Sequence, residues 1–172
     1  MSSYEMGKDG VRDWILRNVK KGATCLDVGA CDGNYSRVLG DYLIMDAIEV
    51  YEPNVERNRL AEKYRKVFVA DIRGFKYKKY KVVVFGDVIE HMSVEEAQEC
   101  LEYAKKHSDI IIAAVPFKYK QGPIYGNPYE RHVQDDLTDE LFMEQYPGFE
   151  RLFIYPQYGY YLWRCKDEKA DN

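Results

Sequence analysis

The chain has 172 residues, enough for one domain with a real core and too few for a nucleotide-type sheet plus a large second domain. Its 25 basic and 29 acidic residues leave a net charge of −4, which excludes the overall electropositive footprint of a nucleic-acid binder. The longest apolar stretch, residues 110–115, is far below the roughly 20 residues that span a bilayer.

The N-terminus shows no charged segment followed by an apolar one, and Cys25, Cys31, Cys100 and Cys165 show no C-x-x-C spacing. These features predict a soluble cytoplasmic protein with reduced thiols, no membrane association and no metal-ligand set. The basic clusters at Lys63, Arg65 and Lys66 and at Lys76, Lys78, Lys79 and Lys81 read as solvated surface.

Along the chain, Val11, Ile15 and Val19 recur at helical spacing and predict a helix over residues 8–20, ended by Gly22. A first strand over 24–28 runs through Gly29-Ala30-Cys31-Asp32-Gly33 into a helix carrying Tyr35, Val38, Leu39 and Tyr42. Residues 46–51 read as a second strand. Pro53 opens the next helix, with Leu60, Ala61 and Tyr64 as its inner face, and residues 67–70 form a short third strand.

Val82-Val83-Val84, within a fourth strand over 80–85, is the β-branched run of a strand covered on both faces. Ser93 and Glu96 make a capping box, and Val94, Ala97, Leu101 and Ala104 stripe the helix behind it. A fifth strand over 109–115 stops at Pro116.

Residues 117–136, rich in Gly, Pro, Tyr and charge, are too long for an ordinary connection and predict a functional loop. Thr138 caps a short helix through Tyr146. Residues 149–155 and 160–165 read as an antiparallel hairpin turning around Gly159, and 166–172 as a polar tail that frays.

The loop after the first strand carries the chemistry. Gly29 and Gly33 allow a tight turn and close approach to a ligand. A dinucleotide site needs G-x-G-x-x-G, yet Cys31 and Asn34 stand where its second and third glycines belong. No basic residue lies in the loop, and Asp27 and Asp32 would repel a phosphate. The pattern points to an adenosine-containing ligand without phosphate.

Asp27-Val28-Gly29-Ala30-Cys31-Asp32-Gly33 resembles the first motif of the Rossmann-like (class I) S-adenosylmethionine-dependent methyltransferases, acid-x-Gly-x-Gly-x-Gly, with Cys31 in place of the middle glycine. Cys31 fits such a turn if its φ stays negative. The five strand-helix units and final hairpin match that family's sheet. The resemblance implies a three-layer αβα fold with a mostly parallel seven-stranded sheet, in one domain over residues 1–172. Residues 117–136 would be its substrate-side lid.

The resemblance also implies the site. Asp27, Gly29, Ala30, Cys31 and Gly33 would form the cofactor loop. A ribose-binding acid belongs at the end of the second strand, roughly 20 residues past the first glycine. Glu52, followed by Pro53, is 23 positions on and sits at the expected strand end, whereas its competitor Glu49 falls inside the strand. Asp71 and Ile72 would meet the adenine. Gly86, Asp87 and Val88, in Gly86-Asp87-Val88-Ile89-Glu90-His91-Met92, would lie beside the methionine half.

The stretch Tyr125-Gly126-Asn127-Pro128-Tyr129-Glu130-Arg131-His132 resembles a Gly-Asn-Pro-x-Glu-x-His element that follows the fifth strand in some of these enzymes.

The implied function is methyl transfer from S-adenosyl-L-methionine to an O or N nucleophile of a small molecule, giving S-adenosyl-L-homocysteine. His91 and His132 are the candidate bases, since imidazole is poised for proton transfer near neutral pH. The rival readings are a non-catalytic cofactor-binding partner subunit, a macromolecule-directed methyltransferase and a nicotinamide reductase. The acceptor atom and the oligomeric state stay open.

Overall fold

A computed structural model describes residues 7–124 and 126–165; the predicted tail over 166–172 and Tyr125 of the loop motif lie outside the described residues. Five strands follow the expected order: β1 (Thr24–Val28), β2 (Ile44–Glu49), β3 (Lys66–Val69), β4 (Tyr80–Gly86) and β5 (Ser108–Pro116). With β6 (Glu150–Tyr155) and β7 (Tyr158–Arg164) they form one sheet in the order β3-β2-β1-β4-β5-β7-β6. β1 to β5 pair in parallel, and β7 runs antiparallel to both β5 and β6.

The central strands are apolar on both faces because both are covered. On one face Leu26, Val83, Phe85, Ile111 and Val115 pack against α5 (Val94–His107) and α6 (Asp139–Gln145), through Leu101, Ala104 and Phe142. On the other, Cys25, Val82, Val84 and Ile112 pack against Val11 and Ile15 of α1 (Lys8–Asn18) and Leu39 of α2 (Asn34–Leu39). α5 begins at the expected capping box: Ser93 Oγ accepts from the Glu96 N–H at 3.2 Å, and Glu96 accepts from the Ser93 N–H at 2.9 Å. The αβα layering therefore follows from strands buried twice and helices buried once.

Several expectations need correction. β2 runs from Ile44 to Glu49, so its end lies two residues before Tyr51. The helix after it is broken into α3 (Glu52–Arg57) and α4 (Leu60–Lys63), because Arg59 takes a left-handed φ of 52°. Asn58, at that break, donates to the Cys31 carbonyl at 2.8 Å. Leu60 and Tyr64 stay buried, while Ala61 is exposed.

The hairpin turns at Pro156 and Gln157 rather than Gly159, which pairs with Val115 inside β7. A Cβ on Gly159 would stand 2.6 Å from the Phe117 ring, so this glycine serves packing.

The chain leaves β1 for β2 and β3 on one side, then crosses to β4 and β5 on the other. This reversal opens a crevice at the carboxyl ends of β1 and β4, where open α/β sheets bind ligands. No helix among the described residues is long and apolar enough to cross a membrane.

Candidate functional site

A cavity of about 870 Å³ occupies that crevice, walled by the segments that follow each parallel strand. Its floor is the β1 loop. Gly29 has a φ of 71°, and a Cβ there would stand 2.6 Å from Val88 Cγ2, so the loops after β1 and β4 touch only because Gly29 lacks a side chain. Gly86, at the end of β4, has the same role, since a Cβ there would run into the Tyr35 ring.

Cys31 does not keep a negative φ: it stands at 45°, the left-handed region that glycine enters freely. Three contacts hold it there. Its N–H donates to Glu49 Oε2 at 2.8 Å, its carbonyl accepts from Asn58, and Asn54 Nδ2 lies 3.9 Å from its Sγ. Burial pushes the thiol up to about 12, so Cys31 is a small packed residue and not a nucleophile.

Gly29, Ala30, Cys31, Asp71, Ile72, Gly86, Asp87, Val88, His91 and His132 all line the cavity. Asp27, Gly33, Glu52 and Pro53 do not. Asp27 is buried beneath the loop and accepts from the Tyr64 hydroxyl at 2.5 Å. Burial pushes its carboxyl up to about 7, with the Tyr64 hydrogen bond and the charge of Lys8 opposing. Glu52 and Pro53 are exposed in the first turn of α3.

The carboxylate at the end of β2 that reaches the cavity is Glu49, which the expected strand boundary had placed mid-strand. It is 3% exposed, and its two oxygens accept from the backbone N–H groups of Cys31 and Tyr51, each at 2.8 Å. Burial pushes its carboxyl up, and the two N–H donors offset only some of that. A carboxylate offers about four acceptor sites, so Glu49, which also meets the Asn54 side chain, keeps room for a further donor.

Asp71 takes three side-chain contacts from Arg73 between 2.6 and 3.0 Å. Burial alone would push its carboxyl up, yet the hydrogen bonds and charge of Arg73 outweigh it and hold Asp71 below its ordinary range.

Opposite the loop, the 3₁₀ turn Ile89–His91 meets residues 117–136. The Glu90 carbonyl accepts from the N–H groups of Val133 and Gln134 at 2.8 and 3.0 Å. The Gln134 amide donates to the carbonyls of Ile89 and Met92, and its own oxygen accepts from the Tyr146 hydroxyl.

This clamp brings the two histidines together, with ring centroids 4.7 Å apart and planes at 77°. His91 Nδ1 lies 3.0 Å from the Arg131 carbonyl and His132 Nδ1 lies 2.7 Å from the Tyr119 carbonyl. A carbonyl only accepts, so Nδ1 carries the proton in both rings and each Nε2 presents a lone pair. Burial lowers the pKa of both imidazoles, which favours the neutral form.

Tyr158, with no signal in the sequence, also reaches the cavity and donates to Asp87. Glu90 lies within the Gly86 to Met92 segment, but nothing in that segment shows that Val133 and Gln134, 43 and 44 positions on, would enclose it.

No family profile and no curated protein sequence matches the chain. Solved structures do match in shape. An S-adenosylmethionine-dependent methyltransferase from Clostridium acetobutylicum is 10% identical, covers 92% of this chain and 90% of its own, and superposes with a TM-score of 0.71. The N-terminal domain of EvdMO1, solved with S-adenosylhomocysteine bound, is 13% identical at 95% and 83% coverage, with a TM-score of 0.69. The magnesium protoporphyrin IX methyltransferase of Synechocystis PCC 6803, solved with S-adenosylmethionine bound, is 15% identical at 91% and 77% coverage, with a TM-score of 0.61. The chain therefore has the fold of the Rossmann-like methyltransferases.

Proposed function

We propose that this protein is an S-adenosylmethionine-dependent methyltransferase acting on an O or N nucleophile of a small molecule. One observation carries the reading: Glu49, a buried carboxylate with spare lone pairs, faces the cavity beside a glycine loop free of basic residues, at the switch point of the sheet. Paired ribose hydroxyls fit that acceptor, and a diphosphate does not fit a loop that brings Asp32 and no basic residue to the cavity. The missing side chains at Gly29 and Gly86 make the cradle, since a Cβ at either position would strike Val88 or Tyr35.

When bound, the cofactor supplies a sulfonium methyl as electrophile. The chain's role is then alignment and exclusion of water. Val50, Ile72 and Val88 give the cavity apolar wall for the adenine, and Glu49 fixes the ribose. Phe117, Tyr119 and Tyr129 wall the far end, where a planar or sugar-like acceptor would pack. An acceptor's proton can be taken by His91 or His132 on Nε2, since Nδ1 of each ring is spent on a backbone carbonyl.

A cavity of about 870 Å³ suits a cofactor with a small acceptor better than a macromolecular surface. The four cysteines are free, which supports a reducing, cytoplasmic setting. The loop over 117–136 would close as a lid once the acceptor is in place.

Calorimetric titration tests the reading. Saturable one-to-one binding of S-adenosylhomocysteine with no heat from NAD is expected. Binding of NAD alone, or of neither, would refute it.

A further inference from the structure

We propose that Glu90, His91 and His132 form a binding site for one divalent first-row transition-metal ion, of the zinc, cobalt or iron(II) type, at the acceptor end of the cavity. One ligand atom from each, a carboxylate oxygen and two imidazole nitrogens, lies within 4.8 Å of the others. His91 Nε2 is 4.0 Å from Glu90 Oε1. Two metal–ligand bonds of about 2.1 Å place donors at most about 4.2 Å apart, so small rotations within the rotamer wells close the set on an ion.

The second observation is independent of that spacing. Glu90 is 0% exposed, and neither carboxylate oxygen has a hydrogen-bond partner among the described residues. A buried carboxylate in that condition needs explaining. Protonation would remove its charge, yet would leave an O–H and a C=O both unmatched. A cation between Glu90 and the two imidazoles neutralises the carboxylate and gives it the partner it lacks.

The imidazoles are prepared for the same role. In each ring Nδ1–H donates to a backbone carbonyl, which fixes the tautomer and aims Nε2, the arrangement that ligating histidines carry around their metal. The Gln134 clamp onto Ile89 and Met92 holds the two segments in place. Two imidazoles and one carboxylate, with the remaining positions open to a cavity, are the donor set of catalytic zinc and non-haem iron(II) sites.

The site itself rests on this geometry alone. Its consequence rests on the methyltransferase reading: the open positions would hold an acceptor oxygen, and the histidines would serve as ligands in place of bases.

The full chain, stripped with chelator, is titrated with Co²⁺ by calorimetry and visible absorption, then back-titrated with Zn²⁺. Expected are one Co²⁺ per chain, the visible bands of a nitrogen and oxygen site without thiolate charge transfer, and displacement by Zn²⁺. Co²⁺ should also raise the melting temperature of the native chain.

His132→Ala and Glu90→Gln should each weaken binding by at least about 100-fold and abolish that rise. If Glu90→Gln fails to fold, His132→Ala decides, since His132 sits half-buried in a loop. Absence of saturable Co²⁺ binding, thiolate charge transfer from a cysteine site, or His132→Ala binding within about threefold of native overturns the proposal. S-adenosylhomocysteine titration of the same samples separates the two readings, because its binding needs Glu49 and the loop and not the metal.

Discussion

Asp27→Asn should remove a pH-dependent loss of stability. Asp27 lies 2% exposed under the β1 loop, and its carboxyl is pushed up to about 7, chiefly by burial. In the unfolded chain an aspartate ionises near about 3.9. Between those values the unfolded chain has released a proton that the folded chain keeps. Stability therefore falls as pH rises through this window, and the fall ends once the folded group has itself ionised.

At about 1.36 kcal/mol per unit the whole penalty is about 4 kcal/mol, of which about 2.5 kcal/mol develops between about pH 5 and about pH 8. Asparagine keeps an acceptor for the Tyr64 hydroxyl and has no charge to desolvate. Urea unfolding followed by the fluorescence of Trp14 and Trp163 measures both proteins across that range. Titrating groups that do not interact with Asp27 cancel in the difference between native and variant. That difference should shift by about 2.5 kcal/mol in favour of Asn as pH rises. Parallel curves would show that Asp27 ionises as an ordinary carboxylate, and the argument from its burial would fail.

Glu49→Gln should weaken S-adenosylhomocysteine binding by about 2 to 3 kcal/mol, roughly 30- to 150-fold, whereas Glu52→Ala should change it less than about twofold; calorimetry showing the reverse order would return the ribose to Glu52. Cys31→Gly removes a side chain from a left-handed position, so affinity should stay within about threefold and stability within about 1 kcal/mol. A folded Cys31→Gly protein that no longer binds, beside a Cys31→Ser protein that does, would sink that account. Gly86→Ala should cost about 1–3 kcal/mol, because its Cβ would meet the Tyr35 ring, and an unchanged urea midpoint would contradict the packing. By hydrogen exchange, the amides of Val133 and Gln134 should be nearly as slow as β4 and residues 119–131 distinctly faster until ligands bind; uniform protection would remove the lid.

How much of this was legible in the sequence depends on whether the deciding interactions are local. Val82-Val83-Val84 and residues 110–115 announce buried strands because burial on both faces selects apolar residues directly, and Ser93 with Glu96 announces a helix start through contacts three residues apart. The end of β2 is different. Val50 and Tyr51 are good strand formers, and pairing stops instead where the Glu49 carboxylate takes the N–H groups of Tyr51 and Cys31, a tertiary event with no sign in propensity.

That displacement of two residues puts Glu49 rather than Glu52 at the cavity, so one strand boundary decides which acid lines it. The split of the helix after Pro53 has a related origin, since the Asn58 side chain, at the break, donates to the Cys31 carbonyl. Cys31 follows the same logic: composition makes a negative φ the natural expectation, and only the three contacts around it explain 45°.

The histidine pair lies furthest from view. Its meaning depends on Gln134 drawing a loop back across the β4 end, and on two Nδ1–H groups spent on backbone carbonyls. Residue types alone made His91 and His132 candidate bases; the clamp brings them together beside a buried carboxylate that lacks a hydrogen-bond partner among the described residues.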